Sequence, residues 1–203
     1  MSAALEALRR RFDGHQPGLL GARNEYAVLC PLLEQPDGVH LLFEVRAAQL
    51  RQGGEVCFPG GRLESQETPA ECALRETEEE LSIPRSQIQL LGAPDFICNQ
   101  RGFLLRPVLG LVSAAGIATL HPAPAEVAEV FTVPLAFFRA TPPALYSYEL
   151  IPSVPKDFPY ETVGIPRSYP WDHGRVEVPV WTYNGHAVWG MTARLVRDIV
   201  STL

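Results

Sequence analysis

Thr68, Pro69 and Pro84 fix the state of the segment between them more firmly than any other feature of this chain. Thr68 suits a helix N-cap, Pro69 fits the first helical position, and Glu71 stands where a reciprocal capping pair needs it. Pro84 stops the helix soon after Leu81. Residues 69–81 are therefore expected to be α-helical. On that helix Glu76, Glu79 and Glu80 fall at i, i+3 and i+4 and project from one face, whereas Glu78 points elsewhere. Ala73, Leu74, Thr77 and Leu81 supply a packing side.

Like charges at these spacings destabilise a helix by roughly 0.2–0.5 kcal/mol per pair. The nearest cations are Arg75 and Arg85, and no lysine is interleaved. Two readings follow: a solvated face, or a site for a hard divalent cation such as Mg²⁺, which takes oxygen ligands and keeps waters that also meet phosphate oxygens. Upstream, "FPGG" (Phe58–Gly61) lets the backbone turn sharply and approach a ligand. An ordinary turn is the alternative.

Around this segment the chain alternates between strand and helix signals. A short amphipathic helix is expected at Ser2–Phe12, and strands at Tyr26–Leu33 and Val39–Arg46 joined by the turn "QPDG". Gln87–Cys98 and Phe103–Ser113 form a further pair, followed by a strand at Val127–Val133 and a short helix at Pro134–Arg139. Eleven of the 19 prolines lie between Pro122 and Pro179, which disfavours regular structure there. Pro142–Trp171, rich in tyrosine and tryptophan, reads as a long ordered loop. Val176–Tyr183 and His186–Trp189 flank "NG", a hairpin signal, and Thr192–Val200 reads as a C-terminal helix. The sum is an α+β chain or an α/β/α sandwich around a mixed β-sheet.

At 203 residues the chain is expected to form one domain. Its net charge of −6 argues against a nucleic-acid surface, though not against a small anionic ligand met by local arginines. No apolar stretch of signal-peptide length opens the chain, and Gly110–Leu120 is too short to span a bilayer. The expectation is a cytoplasmic protein with no membrane partner. Cys30, Cys57, Cys72 and Cys98 include no CxxC pair and read as buried free thiols rather than zinc ligands. The five histidines show no ligand spacing, and Trp171, Trp181 and Trp189 read as core. The oligomeric state stays open, a homodimer being one option.

The segment from Gly61 to Ile83 resembles the Nudix box, G-x5-E-x7-R-E-U-x-E-E-x-G-U with U a bulky apolar residue. Gly61, Glu67, Arg75, Glu76, Glu79 and Glu80 all match. Six such matches arise by chance on the order of 10⁻⁵ per chain of this size. Thr77 fills the first U, and Ser82 replaces the final glycine. The resemblance implies an α/β/α fold in which Glu76, Glu79 and Glu80 hold Mg²⁺ or Mn²⁺, with Glu79 central. It also implies that Arg75 braces the loop through Glu67 or a catalytic carboxylate. The reaction implied is attack of water on a diphosphate.

"LFEVRAAQLRQGGEVCFPGG" (Leu42–Gly61) is similar to the segment before the box in the coenzyme A diphosphatase branch of that family. Leu42, Arg46, Ala48, Arg51, Gly54 and Phe58–Gly61 match. Phe43 and Glu44 differ, Ala47 replaces Ser, and the Arg51–Gly54 spacing is one residue short. Glu126–Leu135 and Trp189–Val196 also resemble that branch. The resemblance implies coenzyme A or its thioesters as substrate, with Arg46 and Arg51 at its phosphates and Phe58, Gly60 and Gly61 against it. Glu126, in preference to Glu129, is the candidate further ligand or general base. The rival substrates are ADP-ribose or another nucleoside diphosphate derivative, and the rival class is a Nudix-fold binding module without turnover.

Overall fold

The computed structural model describes residues 2–15, 18–21, 24–201 and 203. In chain order the elements are α1 (Ala3–Phe12), β1 (Asn24–Gln35), β2 (Gly38–Arg46), β3 (Val56–Cys57), β4 (Gly60–Arg62) and α2 (Pro69–Leu81). Then come β5 (Ile88–Gly92), β6 (Ile97–Cys98), β7 (Phe103–Val112), α3 (Ala114–Ala118), β8 (Val127–Pro134) and α4 (Leu135–Ala140). The chain finishes with β9 (Ala144–Leu150), α5 (Tyr160–Val163), β10 (Gly174–Tyr183), β11 (His186–Trp189) and α6 (Gly190–Ser201).

The main sheet runs β3-β2-β1-β7-β5, with β4 on β1, β6 on β7 and β8 on β2. β1 and β7 are parallel, as in Val28 opposite Pro107, and the other pairs are antiparallel. The sheet is mixed, as expected.

Side chains alternate across β2, so successive residues enter different layers. Leu42 packs with Leu29, Leu33 and Val108 beneath Cys72, Ala73 and Leu81 of α2. Leu41 and Phe43 pack on the other face with Phe138 of α4 and Leu195, Val196 and Ile199 of α6. The sheet thus lies between α2 on one side and α4 with α6 on the other.

Three expectations need correction. Pro142–Trp171 is not one long loop: Ala144–Leu150 pairs with β10 from Leu150 opposite Gly174 to Ala144 opposite Val180, at the edge of a three-stranded sheet β11-β10-β9. Gln87–Cys98 is broken into β5 and β6 by Gly92 and Pro94, and the proline cannot extend a ladder. Cys98 is exposed and Cys57 only partly buried, although all four cysteines are free thiols. No helix among the described residues is long and apolar enough to cross a membrane.

Candidate active site

α2 begins as its sequence dictates. The Thr68 hydroxyl accepts from the Glu71 N–H at 3.3 Å, and Glu71 Oε2 accepts from the Thr68 N–H at 2.8 Å. Thr77, in a position that the pattern assigns to an apolar side chain, is fully buried, and its hydroxyl donates to the Ala73 carbonyl at 2.7 Å. Ser82 ends the helix in the left-handed conformation, φ 58° and ψ 24°, which costs a non-glycine residue about 1 kcal/mol. Its hydroxyl donates to the His121 carbonyl at 3.0 Å and offsets part of that strain.

Two backbone bonds then knit the end of α2 to the segment before β8. His121 N–H reaches the Leu81 carbonyl at 2.9 Å and Ala123 N–H the Glu80 carbonyl at 2.7 Å. That segment is bound in turn to the loop after β2, where Ala47 N–H donates to the Glu126 carbonyl at 2.8 Å and Gln49 Nε2 to the Ala125 carbonyl at 2.8 Å. Residues from three parts of the chain therefore meet on the α2 side of the sheet.

Arg75 lies at the head of this face. Its Nε and Nη2 hold the two oxygens of Glu67 at 2.9 and 3.1 Å, and its Nη1 reaches Glu76 at 2.8 Å and Glu79 at 3.1 Å. The bracing expected of Arg75 is present, and it serves Glu67 and the helix carboxylates at once. The guanidinium holds the Glu67 carboxyl down to about 2. Glu80 is buried and accepts from the Gly60 N–H at 2.8 Å. Burial raises its carboxyl well above the usual range, Glu44 adds to that, and the Gly60 hydrogen bond opposes it. Burial likewise raises Glu76, against the pull of Arg75. Glu79 is the exposed member of the three, with 58% of its side chain accessible.

The glycines serve this arrangement. A Cβ on Gly61 would lie 2.1 Å from Glu76 Oε1, and one on Gly60 would lie 2.2 Å from the Ala27 carbonyl oxygen. Here both contribute close approach to carboxylate and strand. Phe58 departs from its expected place against substrate. It points to the opposite face, 3% exposed, and stacks on Phe43 at 4.8 Å, because alternation along β3 and its continuation sends Cys57 to the α2 side and Phe58 to the other.

Glu126 lies within electrostatic reach of Glu44, Glu76 and Glu80. Glu129 is tied to His186 at 3.3 Å, whose ring stacks on Phe131 at 3.9 Å in the other layer. Glu126 thus lies toward the α2 carboxylates and Glu129 toward the other layer. Arg46 is half-buried, its Nε donating to the Arg51 carbonyl at 3.3 Å, and Arg51 is exposed.

Sequence reasoning passed over Glu44. It is 1% exposed; Oε1 accepts from Cys57 Sγ at 3.2 Å, while Oε2 has no hydrogen-bond partner among the described residues. Burial raises its carboxyl, with Cys57 and Arg46 opposing. The signal was there: an acidic residue inside the unbroken apolar run Leu41–Val45.

The donor chemistry fits a hard divalent ion, since the face offers carboxylate oxygens and the burial of Glu44 and Glu80 without enough cations calls for positive charge. Among the described residues no three His, Cys, Asp or Glu side chains converge closely enough to hold an ion as they stand. Arg75 draws Glu76 and Glu79, and Gly60 holds Glu80.

The family profile of the NUDIX domain matches residues 23–152. An uncharacterized Nudix hydrolase, NudL, of Yersinia enterocolitica is 33% identical over 191 residues, which cover 91% of this chain and 84% of the relative. The NudL of Photorhabdus laumondii is 31% identical over 186 residues, covering 90% and 87%. Among solved structures, the Nudix hydrolase RenU of M. smegmatis matches with a TM-score of 0.50 and 24% identity, over 58% of this chain and 74% of that one, a likeness of fold.

Proposed function

Because this chain belongs to the NUDIX family and is a hydrolase of phosphorus anhydrides, we propose that it cleaves the diphosphate of coenzyme A or an acyl-coenzyme A. The products are 3′,5′-ADP and 4′-phosphopantetheine or its acyl form. Residues 1–203 act as one catalytic unit in this reading, and the enzyme works in the cytoplasm.

Nudix hydrolases generally need divalent metal ions; the ion here is Mg²⁺ or Mn²⁺, held by Glu76, Glu79 and Glu80. When bound, it lowers the pKa of attacking water and neutralises the diphosphate. Arg75 orients Glu76 and Glu79 while keeping Glu67 ionised and the loop closed. Glu80 is fixed by Gly60, so the loop and the helix keep one spacing. Glu126 stands at the edge of the face as proton acceptor. Arg46 and Arg51, on the loop tied to the Glu126 segment, pair with substrate phosphates.

What supports this substrate is the resemblance of Leu42–Gly61 to the segment before the box in coenzyme A diphosphatases, a segment that ends at the Gly60 contact with Glu80. The test is a substrate panel on purified protein with products identified by mass spectrometry. Release of 3′,5′-ADP from coenzyme A supports the reading. Turnover of ADP-ribose with coenzyme A untouched replaces the substrate, and binding without any metal-dependent product makes the chain a binding module.

A further inference from the structure

We propose that Glu44 is a further donor of the divalent-ion site, supplying its free carboxylate oxygen to the ion. This rests on the reading of the acidic face as a metal centre and extends that face onto the central sheet.

The geometry is specific. β2 carries Glu44 in the layer that α2 covers, because its neighbours Phe43 and Val45 pack on the opposite side and Leu42 packs under α2. Cys57, directly across the ladder, occupies Oε1. Among the described residues Oε2 is left with no partner, in a side chain that is 1% exposed. Buried carboxylate oxygens are almost always bonded, so an orphan of this kind points to a partner not made by the protein itself.

The surrounding charge says what that partner is. The charged groups that act on Glu44 are Arg46, Glu126 and Glu76, and Glu44 is in turn the foremost like-charged neighbour of buried Glu80. Two guanidiniums, Arg46 and the Arg75 that holds Glu76, face these four carboxylates, and Arg75 is shared with Glu67 and Glu79. An uncharged donor would satisfy Oε2 but leave that imbalance. A hard dication answers both requirements.

The test titrates metal-free protein with Mn²⁺ without substrate, following free Mn²⁺ by electron paramagnetic resonance, for the wild type, Glu44→Gln, Glu44→Met and Glu79→Gln. Both Glu44 variants are expected to bind Mn²⁺ roughly 10–100-fold more weakly. Their metal-free melting temperatures should equal or exceed that of the wild type, since a buried charge has been removed. Wild-type affinity in either folded Glu44 variant, with Glu79→Gln weakened, overturns this inference and leaves the metal centre intact. Absence of Mn²⁺ binding to the wild type overturns the centre itself. Failure of both Glu44 variants to fold overturns the inference as well, because the carboxylate would then serve the fold.

Discussion

Arg75 grips both oxygens of Glu67, eight residues earlier, while its third nitrogen reaches Glu76 and Glu79. One guanidinium thus joins the loop before α2 to the face of α2. A carboxyl held near 2 in the folded state, against about 4.3 in the unfolded chain, stabilises the fold fully above about pH 4.3 and loses that effect as pH falls toward 2. Glu67→Gln is therefore expected to lower the melting temperature at pH 7, with the gap to wild type narrowing below pH 4. Thermal melts across that range check the sign; a gap that widens on acidification contradicts it.

Glu79 is well exposed, and Arg75 holds its carboxylate. Glu79→Gln should cut turnover by roughly a thousandfold, about 4 kcal/mol of barrier, with little change in melting temperature. Steady-state kinetics beside calorimetry separates the two effects.

The two glycines predict different failures. At Gly61 the obstacle to a Cβ is the Glu76 carboxylate, a side chain that can swing away; at Gly60 it is the Ala27 carbonyl and the Val28 backbone. Gly61→Ala should lose activity while keeping most of its stability, and Gly60→Ala should lose stability first. Paired melts and rates on both variants decide.

Ser82 holds a left-handed conformation and a hydrogen bond to His121. Ser82→Ala removes the bond and keeps the strain, and should cost about 1 kcal/mol in denaturant unfolding. Ser82→Gly relieves the strain and should cost less.

Arg46→Ala should weaken coenzyme A more than dephospho-coenzyme A if its guanidinium meets the 3′-phosphate. Equal losses of kcat/KM for both substrates remove that role.

Much of this was legible in the sequence because it was local. The cap at Thr68, the stop near Pro84 and the one-sided carboxylates follow from helix periodicity, and the structure returns α2 as Pro69–Leu81. What escaped depends on partners distant in the chain. β9 lies between Pro143 and Pro152, and its pairing with β10 needs residues some thirty positions away, so proline density hid it. Pro179 itself sits in β10, the middle strand of that small sheet, opposite Leu145. The resemblance to coenzyme A diphosphatases places Phe58 against substrate, whereas strand alternation turns it into the core. Glu44 looked like a departure from a pattern; its burial beside Glu80 emerges only in the fold.

The central claim is tested most directly by diffraction from crystals grown with Mn²⁺ and a non-hydrolysable coenzyme A diphosphate, using the anomalous signal of the ion. The account predicts manganese bonded to oxygens of Glu76, Glu79 and Glu80, between them and the diphosphate. A ligand in place with these three carboxylates apart and no ion among them would contradict it.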